Sequence, residues 1–204
     1  MTSVDPVAFA RSYFDKIRSL LDSIDIEGIA RLMTLLETAR VEGRQVFIIG
    51  NGGSASTASH WACDLNKGAS HPGRRRLRVI SLTDNMAHFS AIANDYGYER
   101  VFTEQLRNLV QQGDVLIGIS ASGNSPNLVH AFDYAGRHGA TTVAVVGFSG
   151  GKIAAMADHL VHVKSGEYGP VEDMHLMFDH VVTDWFRTVV MPRAGVEIGA
   201  DGED

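Results

Sequence analysis

The chain has 204 residues, 45% of them hydrophobic and 21% charged, with a net charge of −6. That composition is ordinary for a globular protein, and the length suffices for a core without disulfides or a structural metal. The negative balance argues against a nucleic-acid backbone as partner, and the lone Cys63 excludes both an intrachain disulfide and a cysteine-rich zinc site.

Residues Met1 to Arg11 lack a basic segment followed by an apolar stretch, so no signal peptide is expected there. No run approaches the roughly 18 apolar residues of a membrane span, and the expected location is the cytoplasm. Apolar positions then recur at helical spacing. Phe9, Tyr13, Ile17 and Leu20-Leu21 form one set; Ile29, Leu32, Leu35-Leu36 and Ala39 form a second, ended by Gly43. Two amphipathic helices are predicted.

Short apolar runs alternate with helical stretches from there on. Strands are predicted at Val46–Ile49, Leu77–Leu82, Val115–Ile119, Thr141–Val146 and His159–Val163. Helices are predicted at Ser54–Leu65, around Met86–Ala93 and Val101–Val110, at Pro126–His138, and at Val171–Val190. Strands apolar on both faces, joined by helices, imply a parallel sheet covered on both sides, hence a three-layer α/β fold of five parallel strands with N-terminal helices. Residues 1–192 are expected to form one domain, and 193–204 a disordered acidic tail.

In such folds ligands bind outside the carboxyl ends of the strands. Two loops fall there: Gly50-Asn51-Gly52-Gly53-Ser54, and Ser120-Ala121-Ser122-Gly123-Asn124-Ser125. A glycine-rich turn opening a helix offers unobstructed backbone N–H groups at the positive end of the helix dipole. The hydroxyls of Ser120, Ser122 and Ser125 add donors, with Ser125 placed as a cap before Pro126. Neither loop is a Walker P-loop or a dinucleotide fingerprint. A tight turn alone explains the Gly52-Gly53 pair about as well as a ligand does, but a plain turn does not require three hydroxyls in six residues. The pair of loops points to a bound phosphate.

These loops, with His60, Asn94-Asp95-Tyr96-Gly97-Tyr98 and Gly113-Asp114-Val115-Leu116, resemble the sugar isomerase (SIS) domain, and more narrowly the phosphoheptose isomerase family. The resemblance runs from about the first helix to the helix ending near Arg187. It implies an aldose–ketose isomerase of sedoheptulose 7-phosphate, yielding an aldoheptose 7-phosphate (manno by preference), in a homotetramer with active sites between subunits. It places the phosphate on Ser120, Ala121, Ser122 and Ser125, and further substrate contacts on Asn51, Gly52, Gly53, Asn94, Asp95, Asp64 and Glu172. The base falls on Asp64 and the acid on His180. A zinc set falls on His60, Asp64, Glu172 and His180, with zinc the expected cofactor.

Two positions depart from the family pattern. Asp64 stands for its glutamate, about 1.3 Å shorter in reach, and Glu172 stands for its glutamine, adding a negative charge. His60 and Asp64, four apart, share a helix face; Glu172 and His180 are expected on nearly one face of the last helix. His175, His162 and His159 are read as structural or surface residues, Phe148 and Trp185 as packing residues, and Arg74-Arg75-Arg76 as a solvated approach to a strand. A competing reading takes Ala55–His60 as resembling a regulatory SIS branch that associates with a replication initiator; His180 and an acidic residue at 64 favour the enzyme.

Overall fold

The computed structural model describes residues 5–193, so the expected tail lies outside the described residues except for Arg193. Two helices open it, α1 (Pro6–Leu21) and α2 (Ile26–Glu42). Asp5 caps α1 before Pro6, and Asp25 caps α2 through the Gly28 N–H. Gly43, at φ 70°, ends α2 in the left-handed conformation.

The chain then alternates: β1 (Gln45–Gly50), α3 (Gly53–Cys63), β2 (Arg78–Ser81), α4 (Met86–Tyr96), α5 (Thr103–Leu109), β3 (Val115–Ser120), α6 (Pro126–Arg137), β4 (Thr141–Val146), α7 (Gly151–Met156), β5 (His159–His162) and α8 (Tyr168–Trp185). Helix α7 was not foreseen, and α8 starts three residues before its expected beginning. Both α3 and α8 continue as π-helical turns, Asp64–Gly68 and Phe186–Val190.

The five strands pair in parallel in the order β2-β1-β3-β4-β5. Alternate residues serve opposite faces. Val46, Ile48, Ile117 and Val145 pack under α2, α3 and α8, with Leu32, Leu36, Trp61, Met174 and Phe178. Phe47, Ile49, Leu116 and Ala144 pack under α4 to α7, with Ile92, Leu106, Leu128 and Ile153. Strand order reverses between β1 and β3, so a crevice opens above these two strands, between the loops that enter α3 and α6.

Helix α1 differs from the rest in burying none of its residues. Leu20 packs against the core, the Tyr13 hydroxyl donates to Asp173 (2.5 Å), and Lys16 pairs with Glu167 (2.7 Å). The bond to Asp173 pushes the Tyr13 phenol up to about 12. No helix of the described residues is long and apolar enough to cross a membrane.

Candidate active site

Both glycine-rich loops lie at the crevice. The side chains of Asn51 and Asn127 clasp them together. Asn51 Nδ2 donates to Asn127 Oδ1 (3.0 Å), and Asn127 Nδ2 donates to Asn51 Oδ1 (2.8 Å). The Tyr98 hydroxyl also donates to Asn51 Oδ1 (2.9 Å), tying in the segment that follows Asn94 and Asp95. Asn51 is thus a brace between the loops as well as a neighbour of the crevice. Asn94 and Asp95 are exposed at the end of α4, bonded to each other at 2.8 Å.

The second loop is held by its own groups. Gly123 N donates to Ser120 Oγ (3.0 Å), and Asn124 N to Ser122 Oγ (3.4 Å). Each hydroxyl is used there as an acceptor, so its proton remains to be donated outward. Ser125 occupies the N-cap of α6, but contrary to expectation its side chain makes no capping bond. Gly123 is required: its φ is +65°, and a Cβ there would lie 2.0 Å from the Gly150 carbonyl oxygen. The loop presents hydroxyls and the N-terminus of a 12-residue helix, an arrangement suited to a phosphate.

The first loop is different. The Glu172 carboxylate lies against Gly53, so close that a Cβ at that position would sit 2.8 Å from Glu172 Oε2. Glycine here lets a carboxylate reach the N-terminus of α3, where the dipole favours it. An anion already fills that slot, so the Asn51-Gly52-Gly53 turn is suited to hydroxyls rather than to a second phosphate.

Helices α3 and α8 run side by side in the same direction. Gly53 meets Glu172, Trp61 Nε1 donates to the His175 carbonyl (3.2 Å), and Gly68 faces Thr183. Between these contacts four side chains converge: His60, Asp64, Asp179 and His180, whose ligand atoms all lie within 4.8 Å of one another. His60 Nε2 is 3.3 Å from His180 Nε2, 3.4 Å from Asp64 Oδ2 and 3.9 Å from Asp179 Oδ2. His60 and His180 are exposed, Asp64 is half-buried, and Asp179 has no exposed surface. Burial, reinforced by the Asp64 charge, raises the Asp179 carboxyl to about 7, against the small opposing effect of the Thr183 hydroxyl.

Of the four residues expected around a metal, three therefore stand together and Glu172 stands apart, beside Gly53. That glycine precedes His60 by seven residues, roughly 10 Å along the helix. Asp179 was missed. The signal was present: His175, Asp179 and Thr183 follow one another at four-residue steps within an otherwise apolar buried stripe, and a carboxylate in such a stripe needs a partner. His175 is likewise fully buried, with neither ring nitrogen hydrogen-bonded.

The fold and crevice define an α/β protein with two glycine-rich strand-end loops, one of them suited to a phosphate, and a cluster of two imidazoles and two carboxylates between α3 and α8. Residues 12–147 match the SIS-domain family model. A phosphoheptose isomerase of Aquifex aeolicus is 36% identical over 92% of this chain and 92% of its own. One from Helicobacter pylori is 41% identical over 83% of this chain and 88% of its own. The solved phosphoheptose isomerase of Neisseria gonorrhoeae superposes with a TM-score of 0.82 at 31% identity, over 90% of this chain and 97% of its own. The chain belongs to the SIS-domain family, and within it to the phosphoheptose isomerases.

Proposed function

We propose that the chain interconverts sedoheptulose 7-phosphate and D-glycero-D-heptose 7-phosphate, the manno isomer, through an enediol. The observation that carries this reading is the convergence of Asp64 and His180 in one cluster between α8 and the helix that the first loop opens, supported by the relatives' named activity. Ser120, Ser122 and Ser125, with the Ala121 backbone and the first turn of α6, would take the phosphate. Asn51, Gly52, Gly53, Asn94, Asp95 and Glu172 would meet the sugar hydroxyls.

In the ketose-to-aldose direction Asp64 removes a proton from C1 while His180 protonates the C2 oxygen, giving the enediol. Asp64 then returns its proton to C2 as His180 takes the proton of the C1 hydroxyl. Both side chains end as they began. Two imidazoles and carboxylate oxygens within 4.8 Å of one another suit a borderline-soft divalent cation, zinc in the first place, with His60, Asp64 and His180 among its holders. Such a cation supplies Lewis-acid polarisation of the carbonyl oxygen when bound.

We also read the assembly as a homotetramer with sites between subunits, in the cytoplasm, where the exposed Cys63 stays reduced. Support for self-association comes from α1, where Val7, Phe14 and Leu21, spaced by seven, are exposed at 61%, 60% and 41%.

The test is conversion of sedoheptulose 7-phosphate, followed by NMR, with zinc supplied. Turnover lost in His180→Ala with the fold intact is the expected result. No turnover by folded, zinc-supplied wild type refutes the proposal.

A further inference from the structure

The geometry points to Asp179, not Glu172, as the fourth ligand of the metal held by His60, Asp64 and His180. This inference rests on the metal-assisted reading above but concerns a different property, the identity of the residue that completes the donor set.

Three observations carry it. The first is separation. Zinc binds nitrogen and oxygen at about 2.0–2.1 Å, so ligand atoms of a tetrahedral site stand about 3.3–3.4 Å from one another. The His60–His180 and His60–Asp64 separations, 3.3 and 3.4 Å, already equal that edge. The 3.9 Å from His60 Nε2 to Asp179 Oδ2 exceeds it by an amount that a small side-chain adjustment closes. The second is unmet bonding. Asp179 has no exposed surface, and its Oδ2 has no hydrogen-bond partner. Its other oxygen accepts from Thr183 Oγ1 (3.3 Å), which turns Oδ2 toward the cluster. A buried carboxylate oxygen aimed at two imidazoles and a second carboxylate is in the position of a ligand waiting for a cation. The third is the occupation of Glu172, whose carboxylate is lodged against Gly53 at the start of α3, outside the group of four.

The charges agree as well. Two neutral imidazoles and two carboxylates balance a divalent cation, so Asp64 and Asp179 together neutralise the ion they bury. Glu172 is then free to accept hydrogen bonds from ligand hydroxyls at the first loop. The shorter side chain at position 64 is matched by a second short acidic side chain coming from the opposite helix.

The experiment measures metal binding to the full chain without substrate, so that it does not depend on catalysis. Metal-stripped protein is titrated with Co2+, read by its visible absorption, and with Zn2+ in competition with a chromophoric chelator. Wild type is expected to bind one ion per chain with the intense absorption of tetrahedral Co2+. Asp179→Asn should weaken zinc at least tenfold and alter the cobalt spectrum, whereas Glu172→Gln should keep zinc affinity within twofold. If Asp179→Asn does not fold, judged by circular dichroism, Thr183→Val serves instead. That variant removes the hydroxyl orienting Asp179 and should weaken zinc several-fold.

Loss of zinc on Glu172→Gln with retention on Asp179→Asn overturns the assignment, as does the absence of stoichiometric metal in wild type. Wild type that binds zinc through Asp179 yet leaves sedoheptulose 7-phosphate untouched refutes the isomerase proposal and leaves this assignment standing. Turnover in wild type with zinc affinity unchanged by Asp179→Asn does the reverse.

Discussion

His175 should make the protein acid-sensitive, and its side chain isolates the effect. Burial on α8 penalises the imidazolium, against the small opposing effect of the Val146 backbone and with a small addition from His162, and lowers its pKa from 6.5 to about 4. The unfolded chain takes up this proton near 6.5, the folded chain only near 4. Between those values the unfolded state binds more protons, so stability is full above pH 6.5 and falls as the pH drops toward 4. Each unit is worth about 1.4 kcal/mol, giving a total near 3 kcal/mol and about 2 kcal/mol by pH 5. His175→Leu removes the titrating group at similar volume. Apart from a weak interaction of the ring with the Val146 backbone, no side-chain bond is lost, and Trp61 bonds the backbone carbonyl, which remains. Urea unfolding of both proteins, with chelator present, at pH values from 7.5 to 4.5 gives the comparison. The stability difference should move by about 2 kcal/mol in favour of the leucine variant between pH 7.5 and pH 5. A difference that stays constant over that range refutes the reasoning, because every other titrating group is common to both proteins.

Three further outcomes are expected. Gly123→Ala forces a Cβ into a φ of +65° and against the Gly150 carbonyl, so it should cost about 1–3 kcal/mol in urea unfolding and raise the KM for the sugar phosphate. Asn127→Ala removes both side-chain bonds to Asn51; at about 1 kcal/mol each, binding should weaken by up to about thirtyfold while kcat changes less, as read from steady-state kinetics. Phe14→Asp combined with Val7→Asp places charge on the exposed stripe of α1 and should lower the mass seen by light scattering from that of a tetramer, with the far-ultraviolet dichroism unchanged.

The sheet was legible because its three central strands, β1, β3 and β4, are near-continuous buried apolar runs, and the longer helices between the strands carry a clear period. Helix α7 was not, because six residues from Gly151 to Met156 hold too few positions to show a 3.6-residue repeat. The start of α8 at Tyr168 was obscured by Gly169 and Pro170, which read as turn residues; Pro170 stands in the first turn, where its missing N–H costs nothing. The two loops were readable from residue type together with topology. What sequence could not show was that Asn51 spends its amide on Asn127, since that contact joins residues 76 apart.

The acid–base cluster shows most clearly where reading by spacing stops. His60 and Asp64 are four residues apart on one helix, and that separation alone brings their side chains within 3.4 Å. Glu172 and His180 are eight apart, which turns them about 80° from each other and separates them by about 12 Å along the axis. Nearly the same face is therefore not the same place. Whether both reach His60 depends on how α8 lies against α3, and this is decided by packing: Trp61 under the His175 carbonyl, Gly68 against Thr183, and Gly53 open to Glu172. With the helices parallel, Glu172 falls level with the first loop and Asp179 level with His60. A buried Asp179 is costly as an isolated charge: burial first, and the Asp64 charge after it, raise its carboxyl to about 7. Each helix brings one carboxylate and one histidine to the cluster, and the repulsion of Asp64 that raises the Asp179 carboxyl is what a divalent cation held there would offset.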